Sequence, residues 1–290
     1  MVSSLTIKDQ PEYVKNRVLG VICGDGKLPG LLAQSAKERG YRVAALCLTE
    51  NSLVVMQQLC DAAQYSPPGY LGKNIEYLKK QGVQDVVFIG KLNKLELLRN
   101  VFKFDLSAVR ELSRLANFND DTIQQATGVF MEKHGMRVVT QSQFLPQLFP
   151  QVGVLSKRKP TMDEYSDIDY GYKIAKEIAN LEIGQTVVVK DRMILAIEAI
   201  EGTDLAIKRG VQLADGPVVV VKVARPVQDA RFDIPAAGMR TMNALVAKQP
   251  GGVLAVAAGE VMMVEQEEMI RFADAHDMCI VAVNGTQTLG

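Results

Sequence analysis

Histidine and cysteine are scarce in this sequence of 290 residues, which contains 2 His and 4 Cys. Two histidines are too few for a metallophosphoesterase of the His/Asp type. None of the cysteines forms a C-x-x-C pair, and a disulfide-stabilised scaffold would need many more cysteines in a shorter chain. Cys23, Cys47 and Cys279 lie in apolar runs that are typical of strands, so we expect reduced, buried thiols in a cytosolic protein.

The sequence also lacks an excess of either charge, because 33 Lys and Arg balance 33 Asp and Glu. We therefore expect no nucleic-acid partner held by bulk positive charge. The most apolar window, residues 253–264, is interrupted by Glu260 and is shorter than the ~20 residues of a membrane helix. The polar N-terminal residues have no apolar stretch of the signal-peptide kind, and we expect a cytoplasmic protein.

Hydrophobic residues make up 48% of the chain, which is enough for a packed core and argues against disorder. At roughly 100–200 residues per domain, the length predicts two domains. We predict an N-terminal arm over 1–16, a first α/β domain over 17–152 and a second over 153–290. The basic, proline-containing stretch at 153–163 is the predicted passage between the two domains.

Strands and helices alternate along both predicted domains. In the first domain, the pattern predicts strands at 18–23, 41–48, 86–89 and 136–140 and helices at 31–39, 71–81 and 120–133. Such alternation favours a parallel sheet that is covered on both faces. In the second domain, the pattern predicts helices at 166–180, after 203–204 and at 265–276, and strands at 186–190, 193–197, 218–223, 253–257 and 279–283. Asp191-Arg192 is the predicted tight turn between two of these strands.

Gly24, Asp25 and Gly26 form a glycine-rich turn between the first strand and the first helix. Glycines at such a turn let the backbone approach a phosphate at the helix N-terminus. The spacing is G-x-G-x-x-x-G rather than the G-x-G-x-x-G of dinucleotide-binding proteins, although Glu50 follows the second strand, where an NAD-binding acid is found. Three interpretations stay open: a tight turn without a ligand, a nucleotide or phosphate site, and the NAD site of an oxidoreductase.

A second candidate segment, EAIEGTD at 198–204, follows an apolar strand. Acidic side chains just past a strand end, such as Glu198 and Glu201, are suited to a hard cation such as Mg²⁺. Thr203 is alternatively a helix cap with Asp204 in the first helical turn. Capping accounts for Thr203 and Asp204 but leaves Glu198 unexplained.

The third candidate segment, KVARPVQDARFDIP at 222–235, places three cations and two aspartates directly after a buried strand. Arginine makes bidentate contacts with phosphate, and lysine supplies a point charge. A carboxylate among them can bind a metal ion or orient a water molecule. The alternative is a salt-bridged surface loop.

Four strings in this order resemble the UDP-2,3-diacylglucosamine pyrophosphatases of the LpxI type, over about residues 18 to 283. They are GDGKLP at 24–29, FIGK at 88–91, GQTVVVKDRMILAIEAIEGTD at 184–204 and KVARPVQDARFDIP at 222–235, followed by Gly238 and Thr241. One position departs from the family, because Val227 stands where an acidic or amide residue is usual. The resemblance implies a Rossmann-like N-terminal domain with a parallel sheet and a catalytic C-terminal α/β domain of family-specific fold.

The resemblance also implies an activity, in which water splits the pyrophosphate of UDP-2,3-diacylglucosamine with the help of Mg²⁺. The products are UMP and 2,3-diacylglucosamine 1-phosphate, in lipid A biosynthesis. Asp233 is the implied functional aspartate, as a metal ligand or as the group that orients the water. We expect Lys222 and Arg231 to neutralise the phosphates and Glu198 or Glu201 to complete the metal shell. The expected substrate-binding residues are Gly24, Asp25, Gly26, Lys91, Asp121, Thr203, Arg225 and Gln228.

A diacyl substrate implies transient contact with the cytoplasmic face of the inner membrane. The basic stretch at 157–159 is a candidate for that contact, and its alternative is a solvated linker. A homo-oligomer is compatible with the sequence. Two rival functions stay open, an NAD-dependent oxidoreductase and a non-catalytic UDP-sugar-binding module.

Overall fold

The computed structural model describes residues 17–67, 69–91, 120–225, 231–232 and 234–285, and of residues 120–125 it describes the backbone alone. The chain divides into two units. Among the described residues, unit 1 contains those up to Leu145 together with Arg231 and Phe232, and unit 2 contains the remainder. The predicted boundary after residue 152 thus falls a few residues inside unit 2, and the 222–235 string contributes residues to both units.

Unit 1 is built on a parallel sheet of five strands in the order β3-β2-β1-β4-β5. The strands are β1 (Val18–Cys23), β2 (Arg42–Cys47), β3 (Ala62–Tyr65), β4 (Val83–Ile89) and β5 (Arg137–Val138). The helices are α1 (Leu28–Glu38), α2 (Glu50–Leu59), α3 (Leu71–Lys80) and α4 (Asp120–Lys133), followed by a 3₁₀ turn at Gln141–Gln143. Every residue of β1 is buried, as expected for a central strand covered on both faces.

Unit 2 contains a mixed sheet of six strands in the order β6-β13-β11-β9-β7-β8 and a two-stranded ladder of β10 and β12. The strands are β6 (Gly153–Val154), β7 (Thr186–Lys190), β8 (Met193–Ile197), β9 (Val219–Lys222), β10 (Ala236–Ala237), β11 (Val253–Ala257), β12 (Met262–Met263) and β13 (Cys279–Val283). The helices are α5 (Met162–Asn180), α6 (Thr203–Leu213), α7 (Met239–Leu245) and α8 (Gln266–Ala275), with a 3₁₀ turn at Pro146–Leu148. The α/β fold predicted from the sequence is therefore confirmed in both units.

Strand direction in unit 2 determines which ends meet. The strands β9, β11 and β13 run parallel to one another, whereas β7 runs antiparallel to β9 and β8 runs antiparallel to β7. The carboxyl ends of β8 and β9 and the start of β7 therefore lie at the same edge of the sheet.

The turn between β7 and β8 adopts an uncommon backbone conformation. Asp191 and Arg192 have φ angles of 50° and 59°, the left-handed region that a two-residue type I′ hairpin requires. The buried carboxylate of Asp167 on α5 accepts the N–H groups of both residues, at 3.0 Å and 2.6 Å. The predicted tight turn at Asp191-Arg192 is confirmed, and a helix side chain holds it in place.

Within the basic stretch at 157–159, the side chain of Arg158 forms hydrogen bonds with other residues of unit 2. Its guanidinium donates to both carboxylate oxygens of Glu164, at 2.8 Å and 3.0 Å, and to the carbonyls of Gly252 and Asp277. Lys157 and Lys159 are exposed. Arg158 is therefore a structural residue, whereas Lys157 and Lys159 have no such set of contacts among those described.

The thiols of Cys23, Cys47 and Cys279 are free and buried, as expected from the sequence, and Cys60 is half-buried. Cys23 and Cys47 pair in register on β1 and β2, with their sulfur atoms 3.8 Å apart. The hydrogen bond between them raises the pKa of Cys23, and burial adds to the rise. In the described part of the chain, the helices are too short or too polar to cross a membrane.

Candidate functional site

The predicted glycine-rich turn lies where the strand order of unit 1 reverses. The strands β1 and β4 are neighbours, and from this pair the sheet extends to β2 on one side and to β5 on the other. Ligands of open α/β sheets bind at such a reversal, outside the carboxyl ends of the strands. Gly24, Asp25 and Gly26 follow β1 directly, so the turn occupies the edge of the sheet at which a ligand is expected.

The turn is fixed by Asp25. Its backbone pairs with Lys91 through two hydrogen bonds of 2.9 Å, which join the ends of β1 and β4. Its carboxylate accepts the hydroxyl of Thr49 at 2.5 Å. Thr49 caps α2 by accepting the N–H of Ser52 at 3.2 Å. The side chain of Asp25 therefore ties the turn to the start of α2.

Two glycines permit this close approach. Gly26 has a φ of 114°, a conformation that side chains rarely adopt. A Cβ on Gly90, whose φ is 93°, would lie 2.9 Å from the carbonyl carbon of Gly24. The predicted residues Gly24, Gly26 and Lys91 thus come together at one edge of the sheet in unit 1.

Glu50, the candidate NAD-binding acid, is the first residue of α2 and is exposed. An acid in the first turn complements the positive end of the helix dipole. This placement gives Glu50 a structural explanation that needs no ligand.

Arg231 and Phe232 also belong to unit 1. The ring of Phe232 packs against Phe88 near the end of β4 and lies close to Gly128 on α4, where a Cβ would be 3.1 Å from the ring. The guanidinium of Arg231 lies over that ring and donates to the carboxylate of Glu132 at 3.2 Å. The FIGK and RFDIP strings of the resemblance therefore meet at Phe88 and Phe232.

In unit 2, the predicted Lys222 lies at the sheet edge formed by β7, β8 and β9. It ends β9 and pairs in register with Thr186, the first residue of β7. The residue is only 4% exposed. Its ammonium donates to the hydroxyl of Thr186 at 3.2 Å and to that of Thr203 at 2.8 Å.

Glu198 is an acidic partner of Lys222. One carboxylate oxygen lies 3.8 Å from the ammonium nitrogen, and the other accepts the hydroxyl of Thr203 at 2.7 Å. The oxygen nearer to Lys222 also accepts the N–H of Gln185 at 3.3 Å. A buried ammonium needs such a partner, because an unpaired charge in the interior is very costly.

The backbone at Glu198 is held against the start of β7. The N–H of Glu198 donates to the carbonyl of Thr186 at 2.9 Å. A Cβ on Gly184 would lie 2.0 Å from the carbonyl oxygen of Glu198. No side chain fits at Gly184 without moving Glu198, which explains this glycine at the start of the 184–204 string.

Glu201 has a different partner. Arg209 on α6 donates to its carboxylate at 2.6 Å, and the N–H of Ala199 donates at 3.2 Å. These bonds, led by that from Arg209, hold the pKa of Glu201 below its ordinary value. Asp204, in the first turn of α6, is paired with Arg240 at 2.9 Å.

Thr203 does not cap α6, contrary to the alternative considered from the sequence. The N-cap of α6 is Gly202, with a φ of 82°, and no side chain caps the helix. Thr203 is the first helical residue, and its hydroxyl connects Lys222 with Glu198. The threonine therefore contributes to the polar cluster rather than to helix capping.

The other predicted site residues are only partly described. Arg225 is half-buried in the segment after β9. Asp121 lies in the first turn of α4, and its side chain is outside the described residues. Asp233, Gln228 and Val227 are also outside them.

Three contributors to these clusters were not predicted as site residues, namely Thr49, Thr186 and Phe232. Thr186 and Lys222 have a detectable signal, since Thr186 begins an otherwise apolar run at 186–189 and Lys222 interrupts one at 218–224. Phe232 stands between two charged residues in the sequence. Its packing could not be predicted, because its aromatic partner, Phe88, is distant along the chain.

The two domains of one protein family match the chain. The LpxI N-terminal domain matches residues 18–148, and the LpxI C-terminal domain matches residues 151–281. The chain therefore belongs to the LpxI family. A curated relative, the UDP-2,3-diacylglucosamine pyrophosphatase LpxI of Caulobacter vibrioides, is 27% identical over 285 residues, which cover 92% of this chain and 98% of the relative.

Solved structures offer weaker similarity. The ADP complex of an N5-carboxyaminoimidazole ribonucleotide synthetase is 15% identical with a TM-score of 0.26, over 68% of this chain and 45% of that chain. N5-carboxyaminoimidazole synthetase from Staphylococcus aureus is 15% identical with a TM-score of 0.24, over 60% and 38%. TM-scores this low carry no argument about the fold or the activity.

Proposed function

We propose that this protein hydrolyses the pyrophosphate bond of UDP-2,3-diacylglucosamine, giving UMP and 2,3-diacylglucosamine 1-phosphate in lipid A biosynthesis. The observation that carries the proposal is membership of the LpxI family over both halves of the chain. The pyrophosphatase name of the Caulobacter vibrioides relative supplies the substrate and the reaction.

The described cations suit a pyrophosphate substrate. Its cleavage concentrates negative charge on the phosphate oxygens, which positive side chains stabilise. Arg231 supplies a guanidinium in unit 1, and Lys222 supplies a buried ammonium in unit 2. Arg225 and Gln228 are further proposed contacts with the substrate.

The glycine-rich turn of unit 1 is the proposed site for the nucleotide or for one of its phosphates. Backbone N–H groups at a turn before a helix suit an anion. α1 has no acidic residue in its first turn, so its N-terminal end presents no competing carboxylate there. Lys91, Asp121 and Thr203 complete the proposed substrate contacts.

Asp233 is the proposed residue that orients the attacking water or binds Mg²⁺. We propose that water attacks the sugar-side phosphorus, which leaves UMP without the new oxygen atom. Replacing Asp233 with Ala removes the carboxylate and is expected to lower turnover by about 10²-fold or more while leaving substrate binding largely intact.

Magnesium is the proposed cofactor, and it would neutralise charge on the pyrophosphate oxygens when bound. Among the described residues, no three His, Cys, Asp or Glu side chains come close enough together to hold a metal ion. Glu198 and Glu201, predicted as ligands, already have Lys222 and Arg209 as cationic partners. In this arrangement the carboxylates of Glu198 and Glu201 do not fit as ligands of Mg²⁺. Asp233 is therefore the proposed ligand among the three predicted ones.

The substrate is a lipid, and we propose that the protein meets it at the cytoplasmic face of the inner membrane. Basic side chains near an anionic surface are attracted to it. Lys157 and Lys159 are exposed and available for such contact, whereas Arg158 is not.

A UMP-release assay tests the proposed activity. Purified protein is incubated with UDP-2,3-diacylglucosamine, with and without Mg²⁺, in ¹⁸O-labelled water. UMP without the label and 2,3-diacylglucosamine 1-phosphate with it support the proposal and the direction of attack. Tight binding of the substrate without UMP release indicates a UDP-sugar-binding module. Thermal stabilisation by NAD but not by UDP or UMP indicates an oxidoreductase.

A further inference from the structure

Lys222, Thr203 and Glu198 contact one another in unit 2. The Thr203 hydroxyl accepts from the ammonium of Lys222 at 2.8 Å and donates to the carboxylate of Glu198 at 2.7 Å. The second carboxylate oxygen lies 3.8 Å from the same ammonium. The hydroxyl of Thr203 thus bridges the ammonium of Lys222 and the carboxylate of Glu198.

Because both side chains are buried, loss of this ion pair is expected to affect the stability of the protein. The side chain of Lys222 is 5% exposed and that of Glu198 is 15% exposed. Removal of Glu198 or Lys222 takes an opposite charge away from the buried charge of the other, which is destabilising. Surface ion pairs, by contrast, contribute little.

A metal ion on Glu198 conflicts with these contacts. An oxygen ligand of Mg²⁺ lies about 2.1 Å from the ion. Such an ion on the carboxylate of Glu198 would stand close to the buried ammonium of Lys222 and would repel it. The two carboxylate oxygens also accept hydrogen bonds from the hydroxyl of Thr203 and the N–H of Gln185.

We infer that Glu198 is the counter-ion and the positioning residue of Lys222 and is not a ligand of Mg²⁺. Glu198 acts through Lys222 and through the bridging hydroxyl of Thr203, which fix the ammonium at the carboxyl end of β9. The effect on catalysis rests on the proposed pyrophosphatase function, whereas the pairing itself does not.

A double-mutant cycle tests the pairing without any measurement of activity. Glu198→Gln, Lys222→Met and the double variant are unfolded in urea. We expect the double variant to lose less in its urea midpoint than the sum of the two single losses, because both single variants remove the same contact between Glu198 and Lys222. Glu267→Gln in place of Glu198→Gln is the control, and its exposed side chain pairs with Arg271. Additive losses with Glu198→Gln overturn the inference.

Lys222→Met replaces a buried charged side chain, a change that can prevent folding. A second double-mutant cycle therefore leaves Lys222 unchanged and uses variants of Thr203. Thr203→Val removes the bridging hydroxyl, and Thr203→Ser keeps it. We expect Thr203→Val to be coupled to Glu198→Gln in the urea cycle and Thr203→Ser to resemble the unchanged protein. Equal loss in Thr203→Val and Thr203→Ser contradicts a bridging role.

Turnover separates a positioning residue from a metal ligand. For Glu198→Gln we expect kcat to fall about 10-fold or more, with KM and the Mg²⁺ concentration for half-maximal turnover changed by less than about 2-fold. A large rise in the required Mg²⁺, with kcat recovered at high Mg²⁺, overturns the inference. Absence of UMP release from the unchanged protein refutes the proposed function instead, and the urea cycles still decide the pairing.

Discussion

The aromatic ring of Phe232 lies 4.9 Å from that of Phe88, measured between ring centroids, with the planes tilted by 43°. Phe88 is the penultimate residue of β4. The contact packs Phe232 on the central sheet of unit 1, the unit to which both residues belong. An aromatic pair at this separation is favourable beyond the area that it buries, so Phe232 anchors the segment that carries Arg231.

Loss of this anchor should impair turnover more than stability. On the proposed pyrophosphatase function, we expect Phe232→Ala to lower kcat for UMP release by about 10-fold or more, because Phe232 holds Arg231, a proposed phosphate contact, and small displacements of such a group are costly. UMP release and the thermal midpoint are measured together. Phe272→Ala is the matched control, since Phe272 is also a half-buried phenylalanine, stacked on His276 in unit 2. Equal losses of kcat in the two variants contradict the anchoring role.

The strands of the core were predictable because their sequences are uniformly apolar. The predicted bounds of β1, β11 and β13 agree with the structure, and all three strands are fully buried. The helix α2 and the strand β3 were not predicted. In α2 only Ser52 and Met56 are buried while Val54 and Val55 are exposed, so its apolar positions do not coincide with its buried positions. β3 is an exposed edge strand with the sequence AAQY.

The members of the polar cluster in unit 2 could be selected from the sequence, but their contacts could not. Glu198, Thr203 and Lys222 were all selected, yet the sequence pattern pointed to a metal ligand, a cap and a phosphate contact. Their actual relationship depends on the antiparallel register that places Thr186 opposite Lys222. Sequence periodicity specifies which face of a strand is buried and does not specify its partner strand.

A side chain at Gly184 should disrupt the edge of the sheet that holds Glu198. Its Cβ would lie 2.0 Å from a backbone carbonyl oxygen, and backbone cannot yield as a flexible side chain can. We expect Gly184→Ala to reduce the free energy of unfolding by about 3 kcal/mol or more, as measured by urea unfolding. Gly259→Ala is the control, because a Cβ there meets open space and costs only about 1 kcal/mol for its left-handed backbone. Similar losses in the two variants contradict the steric explanation.

Acid should weaken unit 2 through Glu164. Burial raises the pKa of Glu164, but the hydrogen bonds from Arg158 and from the N–H of Thr161 outweigh it and hold the pKa below its ordinary value. A lowered folded-state pKa stabilises the protein above the unfolded-state pKa of about 4.3, and this contribution is lost as the pH falls through the folded-state value.

Glu164→Gln should therefore be less stable than the unchanged protein at pH 7, by about 1–3 kcal/mol. The difference should shrink as the pH falls below about 4. Urea unfolding over this pH range checks the expectation, and Glu267→Gln serves as the exposed control. A difference that stays constant across the range contradicts it.

Glycine should improve the hairpin between β7 and β8. Arg192 has a φ of 59°, and a left-handed conformation costs a residue with a Cβ about 1–2 kcal/mol. Part of the gain from glycine is offset by its greater freedom in the unfolded chain. We expect Arg192→Gly to raise the free energy of unfolding by about 0.5–1 kcal/mol, since Asp-Gly is a favoured type I′ pair.

The backbone bond from residue 192 to Asp167 is kept in this variant, because it uses the main-chain N–H. Arg192→Ala separates the effect of the backbone from that of the lost charge. It retains the Cβ and should show no gain in urea unfolding. An equal gain in the two variants would assign the effect to the removal of the arginine side chain rather than to the left-handed turn.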